Sequence, residues 1–360
     1  MAEPAIPQEV DEITVDWVNK VFRYAGLAED PRVSAVENSV IGDEKGFLSQ
    51  VVRASLSFAG PQGNLPASII VKIEPKGESF RAAERHRSSF EREIAFYQEI
   101  APNLSVNVPK IHHTAMTPEA KVLVMEDLGH LTACDQIRGM GHERVLATAR
   151  GIAQVHAAYW DNEALARLTW LPDHEHFHDE GIEKDWPAFA EAYGLRIGEA
   201  GRRLGAWVAE NMAWTRREIA ARPAALIHGD LRADNLLFGK PGTPHEVMFI
   251  DWQGANRGLA AIDVARLLGG SEPVAERSGR QMEVFEAWHQ ALCQAGVTTY
   301  PVEDALHDFR LAALYCLYIP VKVFQLTGGA PSGRTGRLLD AITQRHYASA
   351  IELEAERVIG

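Results

Sequence analysis

The sequence predicts an α+β chain of two lobes, a small β-rich lobe with one helix followed by a large, mainly helical lobe. Three observations carry this. Short alternating or β-branched runs crowd the first 125 residues, helical periodicity dominates after Gly129, and a single strand-and-loop passage, 226–254, interrupts the helices. A chain of 360 residues suits two units at roughly 150 residues per domain. With 46% hydrophobic and 24% charged residues, it is neither disordered, collagen-like nor a coiled coil.

The elements follow in order. Residues 33–41 read as a strand, followed by turn chemistry at 42–46. Residues 51–58 alternate, with Val52, Leu56 and Phe58 on one face. The β-branched run 68–73 reads as a buried strand. Residues 81–100 read as the helix, with Phe90, Ile94 and Tyr97 at helical spacing. Two further strands are expected at 111–114 and 121–125. Residues 1–125 then form the first lobe, 126–129 the hinge and 130–360 the helical lobe. Within the latter, Val145, Ala149, Ile152, His156 and Trp160 mark one face of a helix, and 186–222 carries long helical patterns. The acidic start of the chain, with no apolar core, does not read as a signal peptide, and none is expected.

Charge and cysteine narrow the function. Lys+Arg 36 against Asp+Glu 49 gives a net charge of −13, which argues against nucleic acid as a partner. Cys134, Cys293 and Cys316 are far apart, without a C-x-x-C pair, so no disulfide framework or zinc cluster is expected. The apolar run 311–321 is too short to span about 30 Å of hydrocarbon. No membrane association and a reducing cytoplasm are therefore the expectations. Oligomeric state is not readable.

The chemistry concentrates in the interrupting passage. It contains His228-Gly229-Asp230 with Asn235 five residues after the Asp, then an apolar run ending in Ile250-Asp251-Trp252-Gln253. Phosphoryl transfer needs one carboxylate to orient the attacking hydroxyl, and a second carboxylate with an amide oxygen to hold Mg²⁺. Asp230 fits the first role; Asn235 and Asp251 fit the second. Asp and Asn in loops also make turns, but the two motifs occur together and in order.

His228-Gly229-Asp230-x-x-x-x-Asn235 with Ile250-Asp251-Trp252-Gln253 resembles the small-molecule branch of the protein-kinase-like superfamily. It is most similar to the aminoglycoside phosphotransferase/choline kinase group and its ecdysteroid-kinase-like relatives, over roughly residues 39–268. The resemblance implies a protein-kinase-like two-lobed fold, use of ATP and Mg²⁺, and a first lobe that binds the nucleotide. It assigns Lys72 to the α/β-phosphates with Glu93, rather than Glu91, as its helix partner. The loop 42–49 carries only Gly42 and Gly46 of the family's glycine pattern, so Gly46 and Ser49 are expected as phosphate contacts on a departed motif. Backbone groups of Glu126 and Leu128 would read the adenine edge. Asp263 would brace the catalytic loop or cap its helix. His156 reads as a packed core histidine. Arg232 stands where protein kinases place a phosphate-contacting Lys, and a solvated Arg is the other reading.

A small-molecule alcohol is the expected substrate. Asp251 is followed within about a dozen residues by the helix at Asp263, which leaves no room for a protein kinase's activation segment, and Gly229 replaces the Arg that would read it. The net charge would suit a cationic substrate, yet no carboxylate cluster is found. Trp160, Trp170, Trp186, Tyr193, Trp207 and Trp214 would suit a bulky apolar alcohol, although such spacing more often marks core. A nucleotide-binding scaffold without catalysis and an atypical protein kinase are the alternative functions. The tract 173–180, rich in His, reads as a polar surface loop rather than a metal site.

Overall fold

The computed structural model describes residues 2–41, 50–74, 84–173, 181–243 and 246–359, with no side-chain description for 84–88. The expected phosphate contacts Gly46 and Ser49, and most of the His-rich tract, lie outside these residues. The chain divides into two units: Met1–Asn103 with Val108–Leu131, and Leu104–Asn107 with Thr132–Gly360.

The first unit is built on a five-stranded antiparallel sheet of β1 (Val33–Ile41), β2 (Gln50–Phe58), β3 (Ser68–Ile73), β4 (Ile111–Met116) and β5 (Lys121–Glu126). Its order is β1-β2-β3-β5-β4. Strand alternation divides the sheet into two faces. Val52, Ala54, Ile69, Val71, Ile73, Val122 and Val124 pack on one of them. The partners that cover this face come from α1 (Val15–Tyr24), whose Trp17, Val18, Val21 and Phe22 complete the core. Thr14 caps α1 by accepting the Trp17 N–H at 3.2 Å. The start of the chain, read only as acidic and without an apolar core, therefore contributes a second helix to this unit. Val51, Arg53, Ile70, Lys72, Leu123 and Met125 alternate with the core residues and share the opposite face.

The expected helix runs as α2 (Glu84–Ala95) and ends in a π-helical turn at Phe96–Ile100. Phe90, Ile94 and Tyr97 are all buried, as their spacing predicts. Glu93 shares that inward face, whereas Glu91 is half exposed and pairs with Lys121 at 3.4 Å.

The second unit is mainly helical. It contains α3 (His142–Ala158), α4 (Glu163–Ala166), α5 (Ile182–Ala220), α6 (Ala261–Ser271), α7 (Val274–Arg277), α8 (Gln281–Gln294), α9 (Val302–Tyr315), α10 (Tyr318–Leu326) and α11 (Gly333–Glu352). Helix α5 is interrupted at Gly198, where φ is 67°. Two small antiparallel sheets sit among the helices: β6 (Thr132–Ala133), β8 (Leu236–Phe238) and β9 (Val247–Phe249) form one, and β7 (Ala224–Ile227) with β10 (Asn256–Leu259) the other. Asn107 joins this unit because its carbonyl accepts the Phe249 N–H at 2.9 Å and its amide donates to Val247 O at 3.1 Å. Among the aromatics of α5, Phe189 and Tyr193 are buried and stack at 5.1 Å, whereas Trp186, Trp207 and Trp214 are half-buried, Trp207 meeting Trp214 edge-on at 5.2 Å. The apolar run read at 311–321 extends over α9 and α10. Val302–Leu326 has the length and apolarity of a spanning segment, and 67% of its most apolar window is buried among the other helices.

Candidate active site

Strands β7 and β10 pair antiparallel, with Ile227 opposite Asn256, and this pairing launches the loop that follows β7. Gly229 takes φ of 74°, and a Cβ there would lie 2.1 Å from Gly254 O, so no other residue fits this turn. Beneath the loop is Asp263, fully buried in the first turn of α6. Its Oδ2 accepts the backbone N–H of His228 at 2.7 Å, and its Oδ1 that of Gly229 at 3.0 Å. The Nε2–H of His156 donates to the same carboxylate at 3.1 Å, while His156 Nδ1 accepts from Trp288 Nε1 at 3.0 Å. Burial alone would raise the Asp263 pKa; His156, His228 and the backbone donors outweigh it and hold the group below the usual carboxylate range. Asp263 thus lies inside its helix as a brace and not at the cap, and His156 is a bonded core histidine.

The catalytic-type loop and the strand carrying Asp251 are tied together. His228 Nε2–H donates to Ile250 O at 3.0 Å, and the Ile250 N–H donates to Asn235 O at 3.1 Å. The Trp252 ring is buried against that of His228, with centroids 4.6 Å apart. Asp251 itself has φ of 65°, a left-handed conformation that Asp tolerates better than most residues. Gln253 Nε2 reaches its Oδ2 at 3.4 Å.

Asp230 and Asn235 are in direct contact. Asn235 Nδ2 donates to Asp230 O at 2.8 Å and to Asp230 Oδ2 at 3.1 Å. This fixes the amide and leaves Asn235 Oδ1 without a partner among the described residues. An amide oxygen held this way, with the carboxylate of Asp251, is a hard-oxygen donor set of the kind Mg²⁺ takes. No group of three or more His, Cys, Asp or Glu suited to a metal occurs among the described residues, and the cysteines are free.

Two arginines converge on Asp230. Arg232 Nε lies 3.2 Å from both carboxylate oxygens. Arg266, from α6, sends Nε at 3.2 Å and Nη2 at 2.5 Å to Oδ1. Burial would raise the Asp230 pKa, but Arg232, Arg266 and His228 hold it far below the ordinary range. Arg232 also donates through Nη1 to Gln136 Oε1 at 2.7 Å and to Asp234 Oδ2 at 3.1 Å, so it is not a solvated arginine. Asp234 further accepts the Gln136 backbone N–H at 3.1 Å. Sequence reasoning missed Arg266. Its signal was there: a lone cation in the apolar run Ala261–Leu268 of α6, as conspicuous as Lys72 in its strand.

In the first unit, Lys72 Nζ donates to Glu93 Oε1 at 2.7 Å, with both side chains largely buried. A buried ammonium needs such a partner. At the end of β5, the Glu126 N–H donates to Lys110 O at 2.9 Å, so any contact this residue makes to a base uses its carbonyl. The Leu128 carbonyl accepts from Leu131 N at 2.9 Å, and the Leu128 N–H has no partner among the described residues. Asp127 ties this segment to the sheet by accepting from Arg53 Nε and Ser68 Oγ, each at 2.7 Å.

No curated protein matches the chain in sequence. Among solved structures, an ethanolamine kinase of Plasmodium vivax is similar over 92% of this chain and 87% of its own, at 10% identity and a TM-score of 0.52. A microcompartment-associated aminopropanol kinase matches over 94% and 97%, at 17% identity and 0.52. Aminoglycoside 2'-phosphotransferase-IIIa, solved with GDP, matches over 94% and 99%, at 14% identity and 0.52. At such identities the likeness is one of fold, the two-lobed fold of small-molecule kinases. A sequence profile of the ecdysteroid kinase-like family, however, matches residues 43–297, well over half of the 360 residues, and on that match the chain belongs to the ecdysteroid kinase-like family.

Proposed function

We propose that this chain transfers the γ-phosphoryl group of ATP, with Mg²⁺, to a hydroxyl of a small molecule. One observation carries the reading: Asn235 is bonded to Asp230 through its amide N–H groups, which leaves an amide oxygen beside the strand that delivers Asp251. Asp230 accepts the hydrogen bond of the incoming hydroxyl and aims its oxygen. The hydroxyl oxygen then bonds to the γ-phosphorus as the bond to the β-bridging oxygen breaks, ADP departs, and the hydroxyl proton passes to Asp230 or to water. Held strongly ionised, Asp230 is a better positioner than proton sink, which suits a loose transition state. Asn235 Oδ1 and the Asp251 carboxylate would hold Mg²⁺, which supplies charge compensation for the phosphate oxygens when bound. Lys72, kept in place by Glu93, serves the α- and β-phosphates. The Leu128 N–H and Glu126 carbonyl offer the donor and acceptor that an adenine edge requires.

A protein substrate is disfavoured because the chain between Asp251 and α6 is filled by one 3₁₀ turn and β10. The test is ADP release with Mg·ATP against a panel of alcohols. Asp230→Ala should lose about 10²–10⁴ in rate, and Asp251→Ala should abolish turnover. A scaffold would be indifferent to both changes.

A further inference from the structure

The carboxylate of Asp230 is more heavily countered than its charge requires. Its Oδ1 accepts from Arg266 Nε and Nη2 and from Arg232 Nε; its Oδ2 accepts from Arg232 Nε and Asn235 Nδ2. Arg232 binds a second acid, Asp234, through Nη1. Two guanidinium groups, neither able to lose its proton inside a protein, thus face two carboxylates. These four charges sum to zero, and both acids are already engaged by arginine; the one further acid that acts on Arg232, Asp251, is assigned to the divalent cation.

What remains free is positive. Arg266 Nη1 and Arg232 Nη2 have no partner among the described residues, and neither nitrogen is sealed from water. Each presents two N–H groups beside the carboxylate that orients the hydroxyl. Planar guanidinium forks match oxyanions. An ammonium brought to the same place would meet two fixed cations, with Asp230 and Asp234 already bound by them and Asp251 assigned above to Mg²⁺. Resting on the phosphotransferase reading above, we infer that the alcohol phosphorylated here carries an oxyanion, a carboxylate or a phosphate, within a few bonds of its accepting hydroxyl, and that Arg266 reads it. Arg266 is the specificity-determining residue, with Arg232 Nη2 as its second donor.

The test uses straight-chain alcohols of equal length, a few methylenes long, ended by carboxylate, phosphate, ammonium or methyl. ADP release by the full chain with Mg·ATP should favour the anionic members over the ammonium-ended ones by about tenfold or more in kcat/KM. Arg266→Gln should cost the anionic members about 10- to 100-fold, chiefly in KM, and bring the anion-to-methyl ratio towards one. Arg266→Lys should restore part of it. The charge series on the unaltered chain carries the test should Arg266→Gln not fold. Equal or better turnover of the ammonium-ended alcohols overturns the inference. So does an Arg266→Gln loss that falls alike on every alcohol, which would assign the guanidinium to holding Asp230 in place rather than to reading the substrate.

Calorimetric titration with the carboxylate- and phosphate-ended alcohols separates the two readings. Arg266-dependent binding without ADP release sustains the oxyanion site at Arg266 and sinks the phosphotransferase reading. Turnover without an Arg266-dependent charge preference does the reverse, and no binding of any anionic member overturns the inference.

Discussion

At Asp263, one side chain sets the backbone of a whole loop. Its two oxygens, fully buried, accept two consecutive backbone N–H groups and one imidazole N–H, of which those of His228 and His156 are themselves buried. Replacing Asp263 by Asn removes an acceptor and leaves at least one buried donor unsatisfied, at a cost of about 1–3 kcal/mol. Urea unfolding should show that loss, and ADP release should fall with it because Asp230 follows Gly229 directly. Unchanged stability in the variant would mean that the loop holds its own shape. At this scale the sequence was legible where chemistry is carried by a motif: the His228–Asn235 stretch is contiguous, Asp251 follows a short apolar run after it, and the structure brings Asp230 and Asn235 into contact. Arg266 and Asp234 escaped because their roles depend on a partner far away in the chain or on a side-chain direction, and neither shows in spacing alone.

Among the elements, α1 decides the stability of the sheet. Without it the core face of the sheet would be opened to water, since Val52, Ala54, Val71 and Val124 all pack into the core that α1 completes. Phe22 is fully buried there, and Phe22→Ala should cost about 3–5 kcal/mol, read as a fall in the urea midpoint. A change within measurement error would show that the sheet does not need this helix. The stripe Trp17, Val18, Val21 and Phe22 is legible at helical spacing, and Thr14 is a good cap; the acidic residues around them drew attention to charge instead. Glu93 was separable from Glu91 for the opposite reason: its neighbours Phe90, Ile94 and Tyr97 already define the inward face. The five strands of the first unit were legible because most of their turns are rich in Gly, Pro, Asn and Asp, whereas β6 and β10 of the second unit, short and without alternation, were not. The π-helical turn at Phe96–Ile100 has no comparable signal in the sequence.

For the molecule as a whole, acid sensitivity draws on buried imidazoles: burial lowers the pKa of His112 and His113 as well as that of His346, which is displaced furthest. Burial, reinforced by Arg266, Arg277 and Arg345, lowers the pKa of His346 to about 3, against about 6.5 in an unfolded chain. The unfolded chain therefore takes up this proton first. The contribution is whole above about pH 6.5 and is lost progressively as pH falls from there towards 3. The depressed carboxylates Asp230 and Asp263 lose theirs only below about pH 4. Between pH 7 and pH 5 the urea midpoint should fall, and His346→Asn should flatten that fall. An equal slope in both proteins would remove His346 as a source.

Trp17 gives the molecule a built-in pair of spectroscopic reporters. It is the only tryptophan in the first unit, while the other seven of the eight belong to the second. It lies on the face of the sheet opposite to Lys72, whereas Trp252 directly follows Asp251. With fluorine-labelled tryptophan, one resonance follows the packing of the sheet on the face away from Lys72, and another follows the loop that carries Asp251. A single spectrum, titrated with magnesium, then separates local occupancy from global rearrangement.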